Sequence, residues 1–343
     1  MSKISVVVPA YNSQRTILET ITSVLQQTFS DLELIVINDG STDRTLELLE
    51  TIQDIRLKVY SYPNGGLPTA RNRGIARATG EFISFIDADD LWTPDKLELQ
   101  LKALQQNPQA GVAYSWTICM GNNGNSFHPG VTESFQGNVY PNLLVGNFIA
   151  SGSNVLIRRE AIESVGYFDE SLKSCEDWDY WLRLAPKWDF VVVPQPQIIY
   201  RLSSGAMSSK LDVMEKYQTL VLERAFSQAP SELQYLKNRG FSYIYLFMTR
   251  LCLSRNNNEK IIEKAAQKLW EAIRFYPQII FRKEAQLLLI KLFILGILSP
   301  KIATGILNKM GRVRTVTDPR LQTNTARGVR NYELGVSTTG ARN

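Results

Sequence analysis

Phe82-Ile83-Ser84-Phe85-Ile86-Asp87-Ala88-Asp89-Asp90 decides how the rest of the chain is read. Its first half is an apolar, β-branched and aromatic run of the kind that forms a strand buried on both faces of a sheet. Its second half places three carboxylates within four residues. Carboxylates this close repel one another unless a cation or a hydrogen-bonding ligand sits among them, so the arrangement is costly for packing and suited to a divalent metal. On extended chain the i, i+2 spacing sets Asp87 and Asp89 on the same side. In open α/β sheets the carboxyl ends of the strands are where ligands bind. Asp90, ahead of Leu91-Trp92-Thr93-Pro94-Asp95, also has the form of an N-cap for a helix starting near Pro94, a reading that accounts for one acid of the three.

Working outward, Lys3 to Pro9 reads as a buried strand stopped by a proline, followed by the turn-prone Ala10-Tyr11-Asn12-Ser13 and a helix carrying Ile17, Ile21, Val24 and Leu25 on one face. Leu32 to Ile37 is a second apolar strand ending in Asn38-Asp39-Gly40-Ser41-Thr42-Asp43, and Leu57 to Tyr62 is a third, from which Pro63-Asn64-Gly65-Gly66 turns into a helix near Leu67. Strands alternating with helices at this pitch imply βαβ units and a mainly parallel sheet. Tyr11 and Asn12, Asp39, and Asp87 with Asp89 then fall at one sheet edge, with Arg71 able to bring positive charge to it. No P-loop or dinucleotide fingerprint is present.

A chain of 343 residues, 44% hydrophobic and 21% charged, is long enough for a large α/β domain with a smaller appendage. The net charge of +5 is concentrated after Lys301, where eight Lys or Arg stand against two acids. The first half carries more acids than Lys and Arg, which argues against a nucleic-acid partner. Cys119, Cys175 and Cys252 are scattered and read as reduced thiols of a cytosolic protein. The first strand begins by Ile4, leaving no room for a signal peptide, and the longest apolar stretch, Ala285 to Leu298, is about 14 residues and short for a membrane span.

Val6-Val7-Val8-Pro9-Ala10-Tyr11-Asn12, Ile37-Asn38-Asp39-Gly40-Ser41-Thr42-Asp43, Asn64 to Gly74 and Asp87-Ala88-Asp89-Asp90, in that order, resemble the family 2 glycosyltransferases of GT-A fold. The resemblance covers about residues 3 to 202. It implies a nucleotide-sugar donor, a divalent metal, Mn²⁺ or Mg²⁺, on the D-x-D acids, and inversion at the anomeric carbon. By position, Asp39 resembles the acid that hydrogen-bonds the base, and Pro9 and Tyr11 lie where the uridine is sandwiched. Arg71 resembles the basic residue near the nucleotide, Asp87 the acid beside ribose and donor sugar, and Asp89 the main metal ligand.

Downstream, Asn147 to Arg158 resembles the family's segment below the donor sugar, and Cys175-Glu176-Asp177-Trp178-Asp179-Tyr180-Trp181 its E-D motif at a helix start. Asp177 is the expected general base, because inversion needs a carboxylate that takes the acceptor hydroxyl proton as that oxygen attacks. Glu176 is then a supporting acid, and Trp178 and Trp181 are acceptor-side or packing aromatics. The same two acids would also favour a helix N-terminus through its dipole alone. Three features depart from the family pattern: Asn38 stands where an Asp is frequent, no histidine follows Tyr200-Arg201, and Trp181-Leu182-Arg183-Leu184 replaces the Q-x-x-R-W of processive synthases. The lone His128 reads as a solvated residue of a polar loop.

From about Asp212 the pattern becomes helical, with runs at Leu211 to Phe226, Glu232 to Ser254, Lys260 to Phe275 and Pro277 to Leu298. The last is apolar nearly all round, with Arg282, Lys283 and Lys291 among the cations beside it, a pattern that wants burial in the protein, in a partner or at an anionic membrane surface. The expectation is therefore an α/β GT-A domain over 1–205, a helical region over 206–314 in membrane or partner contact, and a disordered tail over 315–343. The expected protein is a cytoplasmic or inner-membrane-face transferase that moves one sugar to a glycan or lipid-linked acceptor in polysaccharide or glycoconjugate synthesis. A nucleotidyltransferase, or a non-catalytic scaffold on a degenerate transferase fold, would use the same sheet.

Overall fold

The strands β1 (Ile4–Ala10), β2 (Leu32–Asp39), β3 (Leu57–Tyr62) and β4 (Phe82–Phe85) alternate with the helices α1 (Ile17–Leu25), α2 (Thr45–Glu50) and α3 (Leu67–Arg77) in a computed structural model that describes residues 2–121, 126–201, 210–255 and 259–297. After them come β5 (Leu91–Trp92), α4 (Lys96–Gln106), β6 (Ala110–Met120), β7 (Phe127–Pro129), α5 (Tyr140–Leu143), β8 (Leu156–Arg158), α6 (Arg159–Val165), α7 (Glu176–Leu184) and β9 (Asp189–Arg201). The sheet runs β3-β2-β1-β4-β8-β6-β9-β5, with β7 beside β6. Its β3-β2-β1-β4 half is parallel, as alternating βαβ units require, and β8 joins β4 antiparallel. β1, β2 and β4 are buried along their whole length, which is why they read as unbroken apolar runs.

Pro9 does not stop the first strand. Pairing of β1 with β4 ends at Val7↔Phe85, while pairing with β2 continues through Pro9↔Ile37 to Ala10↔Asn38. The missing N–H of the proline thus falls where the ladder on that side has ended. Helix α3 lies close on the sheet because residue 74 is glycine: a Cβ there would stand 2.2 Å from Val7 Cγ1.

Two helices beyond the sheet, α8 (Leu211–Gln228) and α9 (Lys237–Arg255), send Val221, Leu222, Phe226, Phe241, Ile244 and Met248 into the same core as Phe85, Tyr114 and Trp181. The helices α10 (Glu259–Phe275) and α11 (Lys283–Ile297) build a separate cluster with Leu253, Leu269, Ile279 and Leu288. Two of the runs expected as single helices begin instead in short 3₁₀ turns, at Ser231–Leu236 and Pro277–Phe281, each starting beside a proline that cannot continue α-helical hydrogen bonding. On α11, Leu289, Ile290, Phe293 and Ile297 form an exposed stripe, whereas the Lys291 ammonium turns inward to the Leu253 carbonyl at 2.8 Å. Among the described residues no helix is long and apolar enough to cross a membrane. The expected tail at 315–343 and the end of the helical region, 298–314, lie outside the described residues.

Candidate active site

The three acids after β4 have three different surroundings. The strand ends at Phe85, and residues 87–90 close a turn in which the Asp90 amide donates to the Asp87 carbonyl at 3.0 Å. Asp87 and Asp89 are therefore not alternate residues of an extended strand, as the spacing suggested. Asp90 is fully buried; its carboxylate accepts from Ser153 Oγ at 2.6 Å, Ser151 Oγ at 3.3 Å and the Arg201 amide at 3.2 Å. It caps no helix, since α4 starts only at Lys96. Burial first, then the charges of Asp89 and Asp87, push the Asp90 carboxyl well above the usual carboxylate range. Asp90 thus locks the 151–153 segment and β9 beneath the turn.

Asp87 accepts from Arg71 Nη2 at 2.7 Å, and its amide donates to Ser153 Oγ at 2.9 Å. Arg71, 1% exposed, donates through Nη1 to Glu176 at 2.7 Å and lies over the Phe168 ring. The basic residue expected near the nucleotide is thus a buried strut between the acid at the end of β4 and the acid at the start of α7. Its setting requires Gly152, where a Cβ would come within 2.5 Å of Arg71 Nη2.

Helix α7 opens with Cys175 in the left-handed region at φ 62°, an uncommon conformation for a residue with a side chain. Ala150 at φ 73° and Asn12 at φ 49° are the other described non-glycine residues with positive φ, and Ala150 and Cys175 both line the cavity described below. Strain of this kind concentrates at functional sites. Asp177 accepts from the Trp178 amide at 2.7 Å and from Asn147 Nδ2 at 3.4 Å. Burial first, and the neighbouring Glu176 charge second, raise its carboxyl to about 7, with Arg71 pulling the other way. Trp178 is almost wholly buried and donates its indole N–H to the Leu143 carbonyl, and Trp181 is fully buried, so both are chiefly packing aromatics.

At the β1–β2 edge, Asn12 donates its amide to Ser41 Oγ and accepts from the Thr42 amide, which stitches the two loops together. Tyr11 stands out of this edge, 53% exposed, while Pro9 is buried in β1. Asp39, expected to meet a nucleotide base, accepts from the Gly65 and Gly66 amides and from Arg73 Nη1 at 2.7–3.1 Å. Its carboxylate therefore also shapes the turn leading into α3. His128 lies on β7 and is exposed, close to its expected surface setting.

Asp89 is half-buried, no other described residue donates to its carboxylate, and burial together with the Asp87 charge pushes that group up to about 6. A hard cation beside it would relieve both costs. Oxygen donors without histidine or thiolate match Mg²⁺ or Mn²⁺. Among the described residues no group of three or more His, Cys, Asp and Glu is placed to hold a metal. Among the three acids after β4, Asp89 is thus the one whose carboxylate has no donor from another described residue.

A cavity of about 880 Å³ opens on these groups. Arg71, Asp87, Glu176, Asp177 and Trp178 line it, together with the Asn64–Gly66 turn; Pro9, Tyr11, Asp39 and Asp89 do not. The structure thus brings the expected base Asp177, its expected supporting acid Glu176 and the expected donor-side acid Asp87 onto one cavity and leaves the expected nucleotide edge beside it. Missed in the sequence were Asn147, which holds Asp177, Ser153, which ties Asp87 to Asp90, and the wall contributed by α8, α9 and α11. The polar Asn147 to Asn154 segment signalled only the first two.

A family model described as Glycosyltransferase like family 2 matches residues 5–249. An uncharacterized glycosyltransferase of Rickettsia conorii is 34% identical over 207 residues, 60% of this chain and 33% of that protein. The uncharacterized glycosyltransferase EpsJ of Bacillus subtilis is 42% identical over 106 residues, 30% of this chain and 31% of that protein. The chain thus spans about a third of the length of these curated relatives. S. aureus TarS 1–349 in complex with UDP-GlcNAc superposes with a TM-score of 0.57 at 22% identity, covering 81% of this chain and 82% of that one. The mannosyltransferase PcManGT from Pyrobaculum calidifontis, in complex with GDP-Man and Mn²⁺, does so with 0.57 at 19% identity, covering 90% and 87%. At these identities the likeness carries the fold, which is GT-A. With the family match running from β1 into α9, across both acid clusters and the cavity between them, the chain belongs to the family 2 glycosyltransferases.

Proposed function

We propose that this chain transfers a single sugar from a nucleotide-sugar, a UDP-sugar before a GDP- or dTDP-sugar, to a hydroxyl of a glycan or lipid-linked acceptor, with inversion at the anomeric carbon. The observation that carries the reading is Asp177 on the same cavity as Asp87, the two held in register by the Arg71 and Glu176 bridge. The nucleotide would lie along the β1–β2 edge, with Tyr11 against the base and Asp39 beside it, and Asp87 would face the ribose and donor sugar. Asp89 would be the main holder of Mn²⁺ or Mg²⁺, which when bound neutralises charge building on the leaving diphosphate.

Asp177 would accept the proton of the acceptor hydroxyl while that oxygen bonds to the anomeric carbon and the bond from that carbon to the diphosphate oxygen breaks. A carboxyl poised near 7 suits this, because a general base works best with a pKa close to the operating pH. Glu176, fixed on Arg71, would keep the first turn of α7 in place. The exposed apolar stripe of α11 supports a site of action at the inner face of the membrane, in polysaccharide or glycoconjugate synthesis.

Product analysis tests the reaction class. Turnover of a UDP-sugar should release UDP and give a glycoside of opposite anomeric configuration by NMR. Release of pyrophosphate from UTP and a sugar 1-phosphate would instead mark a nucleotidyltransferase, and retained configuration in the glycoside would remove the role given to Asp177.

A further inference from the structure

One side of the cavity wall comes from helices that follow the sheet. Met214 and Gln218, spaced i, i+4 on α8, and Tyr243, Phe247 and Arg250, spaced i, i+4, i+7 on α9, each present one helix face to the cavity, and Glu284 of α11 completes the wall. Arg250 Nη1 pairs with Glu284 at 2.9 Å, and the guanidinium lies 5.1 Å from the Phe247 ring centroid. Gln218 Oε1 is buried without a hydrogen-bond partner among the described residues. Burial first, and the Glu284 charge second, raise the pKa of the Tyr243 hydroxyl and keep it a neutral donor.

The charge on this cavity points the same way. Its described lining holds six carboxylates against three cations. Arg71 is committed to Asp87 and Glu176, and Arg250 to Glu284, which leaves Lys173 as the cation without a described ion pair. An anionic group entering here would meet net repulsion, whereas hydroxyl groups would find donors and acceptors already fixed and two aromatic rings for an apolar sugar face.

We propose that the face formed by Gln218, Tyr243, Phe247, Arg250 and Glu284 is the subsite for the acceptor's sugar, and that this sugar is an uncharged pyranose. The proposal rests on the glycosyl-transfer reading above and adds the chemical class of its acceptor. The C-terminal helices then select the acceptor rather than only supporting the sheet.

Saturation-transfer NMR on the full chain, in the presence of UDP and Mn²⁺, tests this with the methyl pyranosides of glucose, galactose, mannose and N-acetylglucosamine as neutral probes and methyl glucuronide as the anionic one. At least one neutral probe should bind at least tenfold more tightly than the glucuronide. Tyr243→Ala and Arg250→Gln should each weaken it about tenfold while UDP affinity, titrated separately, stays within twofold. Arg250 is half-exposed, so its variant keeps the fold if the tyrosine variant does not. Binding unchanged in the variants, a preference for the glucuronide, or no binding of any neutral probe overturns the subsite. Loss of UDP binding by the unmodified chain would instead strike the underlying donor reading, independently of the sugar probes.

Discussion

Arg71 donates to Glu176 at 2.7 Å across 105 residues of sequence, from a position with 1% exposure, and its other terminal nitrogen holds Asp87 at the same distance. A guanidinium is the side chain that can serve two carboxylates at once in a fixed plane. The donor-side acid and the base-side helix are thereby tied to one buried cation.

Arg71→Met leaves two acids facing each other with their cation gone. Breaking a buried pair from one side costs about 3–5 kcal/mol, and chemical denaturation should register a loss of that order. Arg71→Lys should recover only part of it, because an ammonium cannot reproduce the planar fork. Equal stability of the methionine variant and the unmodified protein would contradict the strut.

Gly152→Ala probes the same strut from the other side. A methyl group 2.5 Å from Arg71 Nη2 must displace either the guanidinium or the loop that carries Ser151 and Ser153. Transfer activity should fall at least tenfold, because small misplacements of reacting groups are expensive, while overpacking costs about 1–3 kcal/mol of stability. Unchanged kinetics would mean that the loop yields freely and that the packing is not needed for activity.

Asp177 sets the expected pH dependence. A base must be deprotonated to accept a proton, and its pKa is raised to about 7, so kcat/KM should rise about tenfold per pH unit below 7 and level off above it. Arg71 lowers that pKa through its charge, so a neutral Arg71 variant that still folds should move the limb to higher pH. Asp177→Asn should lower kcat by about 10²- to 10⁴-fold and leave nucleotide affinity intact. A flat profile from pH 5 to 8 would exclude this carboxyl as the base.

The sheet was legible because parallel strands buried on both faces appear as unbroken apolar runs, and the polar edge because three carboxylates crowd the end of one such strand. The fate of each acid was less legible. Asp87, Asp89 and Asp90 are alike in sequence, yet one is bound by an arginine, one lacks a described donor, and one is sealed under Ser151 and Ser153, partners that lie more than 60 residues away. Arg71 read as a nucleotide contact because nothing local reveals that Glu176 will close over it. Tyr243, Phe247 and Arg250 lay unsingled within the helical run Glu232 to Ser254, since helical spacing shows which residues share a side and not what that side faces.

The donor site carries the central claim, and calorimetric titration of UDP into the purified chain, with Mn²⁺, with Mg²⁺ and with chelator, tests it most directly. Metal-dependent binding that Asp89→Ala abolishes and Asp177→Asn leaves intact is the predicted result. Binding that ignores both chelator and the Asp89 substitution would contradict the metal-assisted donor site, and failure to bind UDP, GDP and dTDP alike would contradict the enzyme and leave a scaffold on a transferase fold.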